Sequence, residues 1–353
     1  MDTLHTNTLV VTQGILGAIA EIEEFKGAWK ASGQLAPEQL EKLQRTASIE
    51  NIISSIRIDG GTITAPEAEA LLGNQGSYRF DTPDQQEAAG YSEALDFIFR
   101  KYGQVQITES NIKQLHSQLL KYTYKDELQK GNYKKTSNQI EAFDPDGKSM
   151  GVIFHTAGPF ETPGRMSELV KWASDSLEKK SMHPLLVTSV FIISFLAISP
   201  FQEGNGSLSR LLIVYMLLKT GYIYAPYTSV EAIIEEKKST YYQALRQTQG
   251  TIRSLQPDWQ PWLNFFFEVL RQQKQRLETK IEEDRSLVAQ IPPLSLRILE
   301  MIKLNGRITN SEIVTNTGAN RNTVKKHLEA LVSSAYLQLN GTGKGSWYSL
   351  KNV

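Results

Sequence analysis

The segment Ser199-Pro200-Phe201-Gln202-Glu203-Gly204-Asn205-Gly206 separates the two most apolar stretches of the chain, residues 185–198 and 208–218. Apolar residues on every side of a helix predict that the helix is buried. The longer stretch contains Thr188, Ser189 and Ser194 and is shorter than the roughly 20 residues of a membrane span. We therefore expect two core helices, with the polar loop between them held at the centre of a domain.

The composition of this loop favours an anion-binding site. Its glycines allow backbone angles that other residues avoid, and it leads into a helix N-terminus, where free N–H groups and the helix dipole attract phosphate. Glu203 could hold a Mg²⁺ ion that bridges nucleotide phosphates, and Arg210 would point at the terminal phosphates. The alternative is an ordinary glycine turn, with Asn205 in a left-handed conformation and solvated charges.

Bulk composition is that of a globular protein, with 40% apolar and 22% charged residues in a chain of 353. This length favours two or three domains. The absence of cysteine excludes disulfides, thiolate zinc sites and a cysteine nucleophile. Residues 1–10 lack the basic start and apolar stretch of a signal peptide. We expect a cytoplasmic protein that does not enter a membrane.

Periodicity and turn residues divide the chain into four regions. Apolar spacing predicts helices through the first hundred residues, and Gly151-Val152-Ile153-Phe154 after the turn at 144–147 predicts a β-hairpin. Pro257 and Pro261 precede a long helix whose second half is charged. The predicted regions are an N-terminal helical region (1–100), a core domain (101–256), a connector helix (257–290) and a C-terminal module (291–353).

The C-terminal module has helix-turn-helix spacing, with a turn at Gly318-Ala319 and a two-stranded wing after residue 336. It carries eight Lys and Arg against three Asp and Glu, a net charge of +5. The second helix would present DNA-binding side chains together with Asn320, Thr323 and His327, and Lys344 would lie at the tip of the wing. The DNA-binding candidates are Arg321, Asn322, Lys325 and Lys326. The alternative is a protein-contact module, including a homodimer.

The loop and the helix after it, SPFQEGNGSLSR at residues 199–210, resemble the signature HPFx(D/E)GNGRxxR of the Fic, or Fido, family. Residues 46–51 resemble the (S/T)xxxE(G/N) inhibitory motif of the subclass with an N-terminal inhibitory helix, here about residues 40–56. Its motif residues would be Thr46, Glu50 and Asn51. The segment at 131–134 resembles the turn before the family's substrate flap, and Val152, Ile153 and Phe154 would lie in that flap.

This resemblance implies a mostly α fold, a Fic-type helical bundle with a small β-hairpin flap, followed by the winged-helix domain. It also implies ATP with Mg²⁺ and transfer of AMP to a hydroxyl side chain of a target protein that docks on the flap. By position, Glu203 would be the Mg²⁺ ligand, and Phe201 would anchor the loop. The nucleotide-binding residues would be Gly204, Asn205, Gly206, Ser207 and Arg210. Arg210 would contact the γ-phosphate or pair with Glu50 in an inhibited state.

Two residues depart from the signature, and both departures predict impaired catalysis. Ser199 occupies the position of the catalytic histidine, and Ser207 occupies that of the first arginine. A hydroxyl is not basic near neutral pH, whereas a positioned general base is commonly worth roughly 10²- to 10⁴-fold in rate. His155 and His183 are the nearest substitutes along the sequence, although a capping or solvated role suits both better.

Two functions follow from these features. The first is an AMP-transferring Fic-type enzyme that is weak or inactive as written. The second is a non-catalytic regulator that binds a nucleotide or a partner and acts through a DNA-binding winged helix.

Overall fold

The computed structural model describes residues 4–31, 35–73, 80–124, 128–143, 148–289, 291–334 and 336–351. The chain divides into two compact units, Met1–Leu277 and Glu278–Val353. The first unit contains the candidate loop, and the second contains the C-terminal module. Both are mainly helical, as the sequence predicts.

The elements of the first unit follow one another in this order. They are α1 (Gln13–Ala31), α2 (Pro37–Ile58), α3 (Ala65–Gly73), α4 (Pro83–Lys101), α5 (Glu109–Leu119), β1 (Gln139–Phe143), β2 (Ser149–His155), α6 (Thr162–Glu178), α7 (Pro184–Ile198), α8 (Asn205–Lys219), α9 (Val230–Glu236), α10 (Lys238–Gln249) and α11 (Gln260–Ala289). Helix α11 extends past the end of this unit. It occupies most of the region 257–290 in which the sequence predicts a long helix.

Helices α7 and α8 form the centre of the first unit. Every residue of α7 after Pro184 is buried, and so is every residue of α8 except Gly206 and Lys219. Helix α6 packs against α7, while α2 and α4 pack against α8. The prediction of two buried helices is confirmed, and the loop between them is consequently held in the domain centre. No helix in the described part of the chain is both long and apolar enough to cross a bilayer.

The surrounding elements begin and end where local signals place them. Pro37 is the first residue of α2, and the Thr108 hydroxyl caps α5 by accepting a hydrogen bond from the Asn111 N–H at 3.2 Å. Strands β1 and β2 pair antiparallel, from Gln139 opposite His155 onward. This pairing confirms the predicted hairpin. Its turn, residues 144–147, lies outside the described residues.

The second unit has the predicted helix-turn-helix and two-stranded wing, with a further helix before them. It contains α12 (Pro293–Asn305), α13 (Asn310–Thr317), α14 (Arg321–Ser333), β3 (Leu337–Asn340) and β4 (Trp347–Leu350). Strands β3 and β4 pair antiparallel. The three helices and β3 share one apolar core, made by Ile298, Ile302, Ile308, Ile313, Val324, Leu328, Leu331 and Leu337. These contacts give a winged helix its own hydrophobic core.

Helices α4 and α5 approach most closely at Gly90. A Cβ atom added there would lie 1.9 Å from the carbonyl oxygen of Leu119. Leu119 and Leu120 end the helix that packs behind the candidate loop, and a Cβ added at Gly204 of that loop would contact both side chains. The absence of a side chain at Gly90 thus allows α5 to support the loop.

We expect Gly90→Ala to lower the free energy of unfolding by about 3 kcal/mol or more, because backbone atoms would have to move apart. Chemical denaturation monitored by circular dichroism measures this change. Gly17→Ala is the matched control: it lies in α1 with no atom within 4 Å of the added Cβ, and should stabilise the chain by roughly 0.5–1 kcal/mol. Equal effects of the two substitutions would contradict the close packing at Gly90.

Candidate phosphate-binding site

The backbone at Ser199 and Gly204 sets the shape of the loop. Both residues adopt left-handed conformations, with φ of 43° and 73°, and they end α7 and precede α8 respectively. The Ser199 hydroxyl donates a hydrogen bond to the carbonyl of Leu196 at 2.7 Å, and Ser199 is fully buried. The Asn205 side chain closes the loop, because it accepts from the Phe201 N–H at 3.0 Å and donates to the Phe201 carbonyl at 2.8 Å.

The carbonyl groups of this loop are bonded by the segment that precedes the flap. Lys134 donates through its backbone N–H to Pro200 and through Nζ to Ile198, both at 2.8 Å. Asn138 Nδ2 donates to the Phe201 carbonyl at 2.6 Å and lies 3.3 Å from that of Ser199. These contacts hold the carbonyl side of the loop against protein.

Lys134 is a buried cation that joins the flap to the loop. Its Nζ donates three hydrogen bonds of 2.8 Å, to the Asn138 side chain, the Thr156 hydroxyl and the Ile198 carbonyl. Burial, together with the charge of Arg253, lowers the pKa of Lys134 to about 8. The three ammonium protons thus link the end of α7, where the loop begins, to Asn138 and Thr156 at the base of the hairpin.

The N–H side of the loop opens onto the start of α8. The first hydrogen bond of this helix runs from the Leu208 N–H to the Gly204 carbonyl, at 2.9 Å. The N–H groups of residues 205–207 therefore have no partner within the helix, which is the usual condition at a helix N-terminus. Such a terminus attracts an anion.

A carboxylate already lies at this terminus, and it belongs to Asp59 at the end of α2. A Cβ atom added at Gly206 would lie 3.1 Å from Asp59 Oδ1. The Ser207 hydroxyl donates to Asp59 Oδ2 at 2.7 Å, and Arg210 Nη2 donates to the same oxygen at 2.7 Å. The carboxylate thus contacts the residues expected to bind phosphate.

Arg210 is almost completely buried, with 1% of its surface exposed. Its guanidinium also donates to the Ser55 carbonyl at 3.1 Å and to the Ser55 hydroxyl at 3.0 Å. Burial alone would lower the pKa of Arg210, but the charge of Asp59 raises the pKa above the ordinary value for arginine. The arginine is therefore a charged group whose buried position depends on its partner.

Arg210 was expected either to contact the γ-phosphate or to pair with Glu50, and the structure pairs it with Asp59 instead of Glu50. In the described part of the chain, the carboxylate paired with Arg210 is that of Asp59. Thr46, Glu50 and Asn51 lie further back on α2, and nine residues of helix place Glu50 roughly 13 Å from Asp59 along the axis. The Asn51 side chain instead accepts a hydrogen bond from the Ser229 hydroxyl at 2.6 Å.

Ser55 and Asp59 were missed, although a sequence signal for them existed. The segment Ser55-Ile56-Arg57-Ile58-Asp59-Gly60 repeats the (S/T)xxxE(G/N) spacing nine residues later, with aspartate in place of glutamate. The exact match at residues 46–51 concealed this second match.

A buried acidic group lies behind the site, in addition to the half-buried Asp59. The hydroxyl of Tyr91, in α4, donates to Glu231 Oε1, in α9, and both residues are fully buried. Burial raises the pKa of Glu231 to about 7, against the opposing effects of the Tyr91 hydrogen bond and the charge of Arg210. The interior beneath Arg210 thus contains both polar and titratable groups.

Glu203 lies at the exposed mouth of the loop, next to the start of α8. Mg²⁺ is commonly held by one or two carboxylates together with phosphate oxygens and water, so a single carboxylate beside an anion site fits this ion. Among the described residues, no group of three His, Asp or Glu side chains could bind a metal by itself. A metal ion here would need the nucleotide phosphates as further ligands.

The structure separates His183, one of the two histidines considered as substitute bases, from Ser199. His183 caps the far end of α7, where its Nδ1 accepts from the Leu185 N–H at 3.3 Å. The 15 residues of α7 correspond to roughly 22 Å, so His183 cannot reach Ser199. In the flap, Val152 is exposed and Phe154 is half-buried, whereas the side chains of Ile153 and His155 lie outside the described structure.

In the winged helix, most of the expected DNA-binding side chains of α14 are exposed. These are Arg321, Asn322, Lys325 and Lys326. His327 differs from the expectation, because it is half-buried and its Nδ1 lies 2.7 Å from the hydroxyl of buried Ser295 in α12. The His327 ring therefore packs against α12 within the module. The side chain of Lys344 lies outside the described structure.

Both units of the chain resemble known protein families. Residues 106–217 match the model of the Fic/DOC family, and residues 293–334 match that of winged helix-turn-helix DNA-binding modules. Two curated relatives are named protein adenylyltransferase Fic. The one from Drosophila grimshawi is 24% identical over 256 residues, covering 72% of this chain and 47% of the relative. The one from Drosophila willistoni is 25% identical over 241 residues, covering 67% and 44%.

Solved structures share the fold at low sequence identity. A Fic family protein from Desulfovibrio desulfuricans G20 superposes with a TM-score of 0.65 at 21% identity, covering 98% of each chain. A Fic domain containing signaling protein from Bacteroides thetaiotaomicron VPI-5482 gives a TM-score of 0.57 at 24% identity, covering 72% of this chain and 94% of its own.

The present chain spans about half the length of the two curated relatives. The signature loop at the start of α8, the family match around it and the shared fold lead to one conclusion: residues 106–217 form a Fic/DOC-family domain, and a winged helix-turn-helix module follows it at residues 293–334.

Proposed function

We propose that the Fic domain binds the phosphates of ATP·Mg²⁺ at the start of α8, and that its AMP-transfer chemistry is impaired and held in an inhibited state. The observation that carries this proposal is the Asp59 carboxylate, which lies against Gly206 and bonds Ser207 and Arg210 at 2.7 Å. A carboxylate satisfies these groups as a phosphate would, because both offer anionic oxygens to the same donors. A nucleotide must therefore displace Asp59 to reach Arg210.

The transfer step would require a base that removes the proton of the attacking hydroxyl. Ser199 cannot serve, because its hydroxyl is neutral, fully buried and committed to the Leu196 carbonyl. Ser207 likewise offers the phosphates a neutral hydrogen bond in place of a charged one. These two residues support weak or absent transfer. The reaction to test is nevertheless the transfer of AMP to a protein hydroxyl, because the relatives are named protein adenylyltransferase.

Glu203 is the residue that we assign to Mg²⁺, which would neutralise charge on the phosphates when bound. Gly204, Asn205 and Gly206 would orient the phosphates through their N–H groups, and Arg210 would bind the terminal phosphate once Asp59 leaves. Val152 of the flap is exposed, and Lys134 links the flap to the loop through Thr156. Both observations support target docking on this side of the site.

A second function is favoured by the C-terminal module. Its match to DNA-binding winged helices and the exposed cations of α14 support a regulator whose Fic domain senses a nucleotide or a partner and whose winged helix binds DNA. In this role the loss of the base at Ser199 would be harmless.

Asp59→Asn should tighten ATP·Mg²⁺ binding by about tenfold or more, since the neutral amide competes poorly with phosphate for Arg210. The same variant should unfold at a lower temperature without nucleotide, because a buried arginine loses its counterion. Isothermal titration calorimetry and thermal melts measure the two effects.

Glu50→Gln is the matched control for this variant, because it removes one negative charge from the same helix. It should leave ATP affinity within about twofold of the parent. Absence of ATP binding by both the parent and Asp59→Asn at millimolar concentration would show that the loop is only a structural turn.

Ser199→His, combined with Ser207→Arg and Asp59→Asn, should restore AMP transfer by at least about 10²-fold over Asp59→Asn alone. Histidine is among the residues that tolerate the left-handed backbone at this position. Incorporation of α-³²P-labelled AMP into the chain itself provides the measurement. Equal labelling by the unaltered chain would contradict the assignment of Ser199 as an inactive position.

Lys325→Ala with Lys326→Ala should weaken duplex DNA binding for all sequences and reduce the slope of log affinity against log salt by about two. Lys303→Ala with Lys351→Ala removes the same charge from exposed positions elsewhere on the module and should change the slope less. Mobility-shift titrations of the full chain at several salt concentrations distinguish the pairs. No shift in low salt, or equal effects of the pairs, would favour a protein-contact role.

A further inference from the structure

His116 is a buried histidine that contacts the signature loop from behind. It lies in α5 and is fully buried. Its ring stacks on that of Phe201, with centroids 3.8 Å apart and planes within 7° of parallel. Its Nε2 is 3.0 Å from the carbonyl of Glu203, and its Nδ1 is 3.0 Å from the N–H of Gly131. The ring therefore bridges the turn before the flap and the loop.

The two partners determine which ring nitrogen carries the proton. The Gly131 N–H can only donate, so Nδ1 must accept and must be unprotonated. The Glu203 carbonyl can only accept, so Nε2 must carry the hydrogen. His116 is consequently neutral in this arrangement, in the Nε2–H tautomer.

We propose that His116 is a positioning residue that fixes the backbone of Phe201 to Glu203 and so presents the Glu203 carboxylate to nucleotide-bound Mg²⁺. This inference rests on the proposed function of the loop. The stack immobilises Phe201, and the Nε2–H bond immobilises Glu203, two residues later. Restricting the backbone at Glu203 limits where its exposed carboxylate can lie, which lowers the entropy lost on metal binding.

His116 does not replace the missing base. Both of its nitrogens are bonded to backbone groups, and none of its surface is exposed. A Cβ atom added at Gly204 would lie 3.6 Å from Nε2, so the loop itself stands between the ring and the start of α8.

Two substitutions separate the stack from the hydrogen bonds. His116→Phe keeps a planar ring against Phe201 and removes both bonds. His116→Gln can return a donor near Nε2 and removes the ring. Each is combined with Asp59→Asn in the full chain, and ATP affinity is measured with Mg²⁺ and with EDTA.

The readout is the ratio of the ATP affinity in Mg²⁺ to the ATP affinity in EDTA. His116→Phe should reduce this ratio by about tenfold, and His116→Gln should recover part of that loss. His183→Phe is the matched control, because it alters a half-buried histidine at the opposite end of α7 and should lower the melting temperature without changing the ratio. An unchanged ratio in His116→Phe would overturn the proposal. A ratio lowered equally by His183→Phe would also overturn it, since general destabilisation would then explain the loss.

Two further measurements do not depend on nucleotide binding. Nitrogen-15 NMR of the unaltered chain should show a pyrrole-type Nε2 and a pyridine-type Nδ1 for His116. Hydrogen exchange of the Gly131 amide should accelerate in His116→Phe and stay unchanged in His183→Phe. If ATP does not bind to the Asp59→Asn parent, the proposed function fails, and these measurements alone decide the positioning role. The opposite tautomer, or an unchanged Gly131 rate, would refute it.

Discussion

The ion pair between Asp59 and Arg210 connects the N-terminal helices to the signature loop. The Arg210 side chain is buried, where a lone cation would be costly, and the half-buried Asp59 carboxylate at the end of α2 supplies the opposite charge. The same carboxylate lies over the N-terminus of α8 and accepts from Ser207. The Asp59 carboxylate therefore balances the charge of Arg210 and accepts the hydrogen bonds that a phosphate would accept. A ligand must offer an anion that bonds these donors better than Asp59, or α2 must move.

Burial of α7 and α8 provides the rigid frame for this arrangement. Since the loop joins two buried helices, its ends cannot shift without opening the core. Lys134 and Asn138 bind its carbonyls from the flap side, and His116 binds it from α5. Side chains thus hold the loop through its carbonyls, and its N–H side faces the Asp59 carboxylate. This division would allow the fold to keep the proposed phosphate site with Ser199 at the position of the base.

Features with a local signal could be predicted from sequence. The apolarity of residues 185–198, the glycine loop and the spacing of the C-terminal helices each lie within a short segment, so the buried helices, the hairpin and the winged helix were all anticipated. The partner of Arg210 also has a local signal, since residues 55–60 repeat the motif spacing of residues 46–51. Sequence alone does not choose between the two matches, because the choice depends on how far α2 extends over α8. The contacts of His116 and His327 also depend on tertiary structure. The His116 ring stacks on Phe201, and the His327 ring lies beside Ser295. Their sequence neighbours carry no sign of either contact.

The central claim is that Asp59 and a nucleotide phosphate compete for one position. A crystal structure of the chain with ATP and Mg²⁺ tests it directly, through the distance between Asp59 Oδ2 and Arg210 Nη2. That distance is 2.7 Å in the present structure. We expect it to exceed hydrogen-bond reach, about 3.5 Å, with a phosphate oxygen bonded to Arg210 in place of the carboxylate. A nucleotide bound at Gly204–Ser207 with the ion pair still intact would contradict the account.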